Sequence, residues 1–484
     1  MKRLWGLALL FFVGCLPIPQ LRTDLELPSI SYRSSPLTVQ TDYVSVPGFA
    51  EPHTPDQYNQ SYYLRYYRPK DTVDTVIILV PGIFGGATSV DLLARQLVAS
   101  TAGLEVWAVD RRANALEERD HITLSLSSRD PEPAYRYYIE NEGTPQGFNQ
   151  RDSDDLSFMG YWGLDVHLRD LHNVVLKANE AASRVVLGGH SLGASIIGFY
   201  AAYDFGTARE DAGYNYIDAM VLIDGALGRT GGFGIDAAIT SILGILPDTE
   251  GLEGGIDPPF LTFGIDPTFQ ARREVAALLA RFRPTDLSPG GYRPFPATNR
   301  AVLGLLQDDT YGSFTVFTSS LGRALGAQES GNLGAVLSGG RLGRYSSSVV
   351  GVAPGYNYVD WASDAEIDAS DIASLARSWS TPETNRAEWY FPLRLALDIG
   401  EFDGRLRGLE GFVEGSDVIT PTLAVGAGRG LVNNYASFAA YSNTRPGSLF
   451  SSYILADMTH LDIVEAEDNP LVVLINLWLE NIPK

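Results

Sequence analysis

Eight short stretches of the chain carry β-branched and aromatic residues in runs of strand length, and longer runs of helical period separate several of them. They are LTVQTDYVSV from Leu37, SYYLRYYRP from Ser61, TVIILVPG from Thr75, LEVWAVDRR from Leu104, RVVL from Arg184, AMVLIDG from Ala219, TPTLAVGAG from Thr420 and SSYILADMTH from Ser451. TVIILV is apolar almost throughout, as a strand covered on both faces must be. SVDLLARQLVAS from Ser89 lies between the third and fourth stretches, and YWGLDVHLRDLHNVVLKANE from Tyr161 precedes the fifth. Strands alternating with helices predict an α/β chain with a mostly parallel central sheet flanked by helices.

The sixth and seventh stretches are separated by residues 225–415, far too many for a structureless connection. Asp266-Pro267 supplies an N-cap and a first-turn proline; Val275, Leu278, Leu279 and Phe282 then share one face before Pro284 ends the helix. That stripe is read as core of the insertion. TNRAVLGLLQDD and SDIASLARSW predict shorter helices, the second opening at Ser370-Asp371 with Ile372 and Leu375 on one face. GNLGAVLSGGRLGRY, rich in glycine, runs between them. The insertion is expected to be mainly helical.

The chain has 484 residues, enough to bury a large core, and its 45% hydrophobic content excludes a mainly disordered protein. A formal net charge of -22 opposes phosphate backbones, so a nucleic-acid partner is not expected. Lys2 and Arg3 followed by LWGLALLFFVGC read as an export signal over residues 1–14, too short for a spanning helix. Phe12-Val13-Gly14-Cys15 resembles the bacterial lipoprotein box, with Phe12 in place of the usual leucine. The resemblance implies a lipidated Cys15 as mature amino terminus and a polar, proline-bearing tether over residues 15–40. Cys15 is the only cysteine, so an intramolecular disulfide is impossible. Leu16 rather than aspartate after it, by the same resemblance, favours the outer membrane of a cell envelope.

Gly189-His190-Ser191-Leu192-Gly193 stands between RVVL and ASIIGFYAAYDFG, the strand, sharp turn and helix that a nucleophile elbow requires. That setting lifts Ser191 above the sheet edge and aims a helix amino terminus at the reacting centre. A serine needs a base, and of six histidines only His460 follows Ser191, as the serine, acid, histidine order demands. His190 is read as elbow packing. His167 and His172 lack the spacing of a metal pair, and no metal motif occurs elsewhere. The acid is narrowed by a gap: from Val418 to Ala456 there is no Asp or Glu. Asp224 at the end of AMVLID is therefore assigned, with Asp398, Asp403 and Asp417 as alternatives and Asn433 or Asn434 as neutral orienters.

An oxyanion hole needs two backbone N–H groups. Leu192 supplies one, and the loop VPGIFGGATS offers Ile83 first and Phe84 second; no lysine follows it, as a phosphate-binding loop would need. Asp110, Arg111 and Arg112 are read as an ion-pair cluster at the sheet edge.

Together these residues resemble the α/β-hydrolase superfamily, and within it bacterial lipase- and esterase-like members with a GHSLG elbow. The resemblance covers residues 41–224 and 416–484. It implies an α/β-hydrolase fold in two parts, with residues 225–415 as a large cap inserted after the sixth strand, a position where this superfamily commonly carries one. The implied activity is hydrolysis of carboxylic esters, small-molecule or lipid, through Ser191, His460 and Asp224, with no cofactor. A cap of this size would enclose an apolar pocket and favour esters with sizeable hydrophobic groups. Two other readings use the same scaffold: an acyltransferase, and a catalytically silent envelope-binding protein.

Overall fold

The computed structural model describes residues 39–69, 71–206, 209–225, 256–260, 265–312, 318–331, 347–363, 368–400, 417–443 and 447–482. The export segment, Cys15, nearly all of the tether, Asp403 and all but the first residue of GNLGAVLSGGRLGRY lie outside these residues.

All eight predicted strands form and join one sheet. They are β1 (Gln40–Pro47), β2 (Gln60–Tyr67), β3 (Thr75–Val80), β4 (Leu104–Asp110), β5 (Arg184–His190), β6 (Ala219–Ile223), β11 (Thr422–Arg429) and β12 (Phe450–Thr459). Their spatial order is β1-β2-β4-β3-β5-β6-β11-β12. β1 and β2 are antiparallel, as are β2 and β4, and from β4 onward every pairing is parallel. Every residue of β4, β5 and β6 is buried, which explains why their sequences show no polar alternation. The edge strand β1 alternates in exposure instead.

Two apolar layers close the sheet. Helices Leu164–Ala181 and Leu192–Ala202 cover one face with Leu168, Leu171, Val175, Ile197 and Tyr200, against Val76, Ile78, Val185 and Leu187. Helices Asp91–Ser100 and Pro470–Asn481 cover the other with Leu93, Leu97, Leu471 and Ile475, against Ile77, Leu79, Val186 and Val221. The even and odd positions of β3 and β5 thus feed opposite cores, as strand geometry requires.

Residues between β6 and β11 contribute four helices among the described residues: Pro267–Phe282, Asn299–Gln307, Ile372–Ser378 and Leu393–Gly400. The first three have the side-chain N-caps Asp266, Thr298 and Asp371. Two antiparallel pairs accompany them: β7 (Arg323–Leu325) with β10 (Asp360–Ala362), and β8 (Ala327–Gly331) with β9 (Ser347–Val352). These pairs stand beside the expected helices, where runs such as SSVVGV are short and β-branched.

Helix Pro267–Phe282 uses three faces. Val275, Leu278 and Leu279 pack with Tyr138, Phe148, Trp162 and Trp389; Ala276, Ala277 and Ala280 pack with Val302, Leu303 and Trp379. Phe269, Gln270 and Arg273 turn to a cavity described below. The last helix, Leu393–Gly400, joins the sheet's own core through Leu395 and Ala396.

Candidate active site

β5 ends at His190, and helix Leu192–Ala202 starts two residues later, so Ser191 alone makes the turn. Its backbone pays with φ 57°, ψ -122°, a region an L-residue enters only under strain. The turn is tight enough that a Cβ on Gly189 would strike the Gly193 backbone, and one on Gly193 would strike the Val80 carbonyl. A Cβ on Gly82 would lie 2.8 Å from the Ser191 Cβ, so the loop after β3 presses directly on the serine. The Ser191 amide donates to the Ile223 carbonyl (2.9 Å), which ties the turn to the neighbouring strand.

Strand order 1-2-4-3-5-6 followed by the last two parallel strands, with a serine turn after the fifth, decides the architecture. This is the α/β-hydrolase fold. No family model matches the chain, and no curated protein matches it. Among solved structures, it is similar to a lipase candidate of Sulfolobus solfataricus, with TM-score 0.49 and 15% identity, over 93% of this chain and 97% of that one. An esterase of Thermogutta terrifontis (TM-score 0.35, 13% identity) covers 91% of this chain and 98% of its own. A peroxisomal α/β-hydrolase of Saccharomyces cerevisiae (TM-score 0.40, 13% identity) covers 92% and 90%.

On this α/β-hydrolase sheet, Asp224 follows β6 and His460 follows β12, and their side chains meet. His460 Nδ1 donates to Asp224 Oδ2 at 2.6 Å. Asp224 is fully buried, yet three backbone amides also serve it: Ala427 (2.9 Å) and Val432 (2.8 Å) on Oδ1, and Leu431 (2.9 Å) on Oδ2. Burial alone would raise this carboxyl, but the His460 ring and the Ala427 and Leu431 amides outweigh it and hold the group below the usual carboxylate range. An ionised acceptor fixes the proton on Nδ1 of His460 and leaves the Nε2 lone pair available for a proton. Gly430 makes the cradle possible, because a Cβ there would collide with the Asp224 carboxylate.

The other acids weighed from the sequence sit elsewhere. Asp398 accepts from the Leu164 amide (2.8 Å) and pairs with Arg394 (2.6 Å), at the start of helix Leu164–Ala181. Asp417 precedes β11, and Asn434 accepts from the Ala436 amide (3.1 Å). His190 stacks on His460 with ring centroids 4.5 Å apart, and its Nε2 lies 2.8 Å from the His460 carbonyl. A carbonyl can only accept, so that nitrogen carries the proton. Burial, reinforced by the adjacent His460 ring, pulls His190 down to about 3, so it packs as a neutral ring. His167 is likewise held to about 3 by burial. Among the described residues no group of histidine, aspartate and glutamate could hold a metal ion.

The loop after β3 is fixed by a residue whose part in it the sequence did not disclose. Buried Arg111 donates to the carbonyls of Pro81 (3.2 Å), Gly82 (2.7 Å) and Gly85 (3.0 Å), and to the Glu388 carboxylate (2.9 Å). In a trans peptide the N–H opposes the C=O, so a Gly82 carbonyl held on Arg111 turns the Ile83 N–H away from it. The Gly86 amide is spent on the Arg386 carbonyl (2.7 Å) and the Gly85 amide on the Gly82 carbonyl (3.2 Å). Leu192, first residue of its helix, has no intrahelical acceptor for its N–H. Phe84 adopts φ 56° and gives its carbonyl to the Glu388 amide (2.9 Å).

The expected cluster of Asp110, Arg111 and Arg112 does not form. Asp110 accepts from Tyr43 (2.9 Å), the Ala87 amide (2.9 Å) and Thr384 (2.6 Å), whereas Arg112 pairs with Asp170 (2.6 Å). The three side chains leave the strand end in different directions, so adjacency in sequence misled.

Ser191, His190, His460, Gly82, Ile83 and Phe84 line one cavity of about 160 Å³ among the described residues. Its opposite wall comes from the insertion: Ile265, Phe269, Gln270, Leu305, Leu306, Tyr311, and the three arginines Arg273, Arg293 and Arg386. The expected apolar pocket is therefore amended to a mixed one. Asp462 couples the insertion to the histidine loop, accepting from the amides of Thr459 (3.0 Å) and Ser320 (2.9 Å) and from the Ser370 hydroxyl (2.8 Å).

Proposed function

We propose that this chain is a serine hydrolase of carboxylic esters. The observation that carries the reading is a strained Ser191 sharing one cavity with a histidine whose other nitrogen is held by a buried, ionised Asp224. In the reaction His460 Nε2 takes the Ser191 proton as Oγ attacks the ester carbonyl, and the N–H groups of Leu192 and Ile83 receive the developing oxyanion, with Phe84 the alternative to Ile83. The protonated His460, stabilised by Asp224, returns the proton to the leaving alcohol. Water, deprotonated by the same nitrogen, then releases the acid and restores Ser191.

Residues 225–415 act as a cap over the site, between core segments 41–224 and 416–484. We further propose that residues 1–14 direct export, that Cys15 is lipidated, and that residues 15–40 tether the enzyme to the outer membrane of a cell envelope. Among the described residues no helix is long and apolar enough to cross a membrane.

The test is turnover of a chromogenic short-chain acyl ester by the full chain. Ser191→Ala and His460→Ala should each abolish it while the chain stays folded. Parental turnover in either variant would refute the assignment.

A further inference from the structure

Helix Pro267–Phe282 places Phe269 and Arg273 one turn apart, so both side chains look into the cavity that holds Ser191. Among the described residues the Arg273 guanidinium donates to two amide oxygens, Gln270 Oε1 (3.0 Å) and Gln307 Oε1 (2.9 Å), and it lies over the Phe269 and Trp379 rings, each at 5.5 Å. Arg386 lines the same cavity and stands over that same Trp379 ring at 5.1 Å, paired with Glu465. Two guanidinium groups thus share one indole, and among the described residues only Arg386 of the two pairs with a carboxylate.

Three buried arginines outside this cavity are built differently. Arg111, Arg112 and Arg119 are buried and each meets a carboxylate, on Glu388, Asp170 and Glu274 respectively. Among the described residues no carboxylate pairs with Arg273. Burial, unopposed by an acid, pulls it down to about 10, and burial together with the Arg273 charge pulls Arg386 down to about 9. Both remain cations at neutral pH, and their repulsion is relieved by an anion placed between them. In a chain of formal net charge -22, a cationic wall is not a by-product of general basicity.

We propose that Arg273 and Arg386 form an anion subsite of the catalytic cavity, and that the ester substrates carry an oxyanionic group, a carboxylate, away from the scissile bond. A planar carboxylate matches the parallel N–H donors of a guanidinium, which makes the subsite selective for charge and shape together. This rests on the esterase reading, and it replaces the expected preference for apolar acyl chains.

The experiment compares p-nitrophenyl hydrogen glutarate with p-nitrophenyl pentanoate, esters of like length that differ in a terminal carboxylate. The parent is expected to favour the glutarate ester by at least about ten-fold in kcat/KM, largely through KM. Arg273→Gln should bring the ratio to about one, and Arg273→Lys should fall between, because it keeps the charge and loses the fork. Ser191-dependent turnover with no preference for the glutarate ester, and no change of ratio in Arg273→Gln, overturns the subsite and leaves the esterase reading standing. Should neither ester be turned over, the esterase reading fails, and the subsite is read from melting temperature with added glutarate and, separately, inorganic phosphate. A rise with glutarate that Arg273→Gln abolishes supports the carboxylate subsite. A rise with phosphate alone, or no rise, overturns it.

Discussion

His460 and Asp224 lie 236 residues apart in sequence and 2.6 Å apart in space, one after the last strand of the sheet and the other after the sixth. The amides of Ala427, Leu431 and Val432 complete the Asp224 shell, so the carboxylate is charged and immobile where burial alone would neutralise it. Asp224→Asn should keep the shape, remove the charge and allow the wrong tautomer of His460, lowering kcat by about 10³–10⁴. Asp398→Asn and Asp417→Asn should leave kcat within a few-fold of the parent.

The same carboxyl makes a signed prediction for stability. Its folded pKa lies below its unfolded value, so its contribution is fully present above the ordinary aspartate range and is lost as pH falls through the folded pKa. At pH 7, Asp224→Asn should be less stable than the parent by about 1–3 kcal/mol. The gap should begin to narrow as pH falls below about 4 and go on narrowing down to the folded pKa. Denaturant melts at pH 7 and pH 3.5 check this; a gap that widens in acid would contradict it.

Ser191 holds φ 57° for the sake of its position and not for stability. Glycine adopts that conformation freely, so Ser191→Gly should be about 1 kcal/mol more stable than Ser191→Ala while both are inactive. Calorimetry of the two variants decides it.

In the proposed reaction Arg111 is a positioning residue, because it grips the carbonyls of Pro81, Gly82 and Gly85. Arg111→Met should lower kcat by about 10²–10³ with little change in KM, the cost of a misplaced oxyanion donor. Because burial already pushes Glu388 up to about 7 against the pull of Arg111, the single change leaves an unpaired acid. Adding Glu388→Gln should restore the melting temperature and not the kcat, which separates positioning from folding.

The strands were legible because each is a local pattern: a fully buried run such as TVIILV needs no partner to be recognised. The turn at Ser191 was legible for the same reason, as were the caps at Asp266 and Asp371. What escaped depends on chain that returns from far away. Residues 385–388 fold back onto the loop after β3, and only then does Arg111 have Glu388 and three carbonyls to hold. The Asp224 cradle is made of backbone amides, whose direction no side-chain pattern records. The stripe Val275, Leu278, Leu279 and Phe282 is legible as core from its spacing; that a further face of the same helix, with Arg273, lines a cavity follows from the packing of Asn299–Gln307 and Ile372–Ser378 around it.

Cys15→Ala should move the protein from the membrane fraction to the soluble fraction, or stall its processing, and abolish incorporation of a labelled fatty acid. A parent that is soluble and unlabelled would rule out the lipid tether.

Ser191 is the proposed nucleophile, and a fluorophosphonate probe forms a covalent bond only with an activated serine. One adduct per chain is expected, located on Ser191 by peptide mass spectrometry, absent in Ser191→Ala and strongly slowed in His460→Ala. No adduct on the folded parent, or an adduct on another serine, would contradict it.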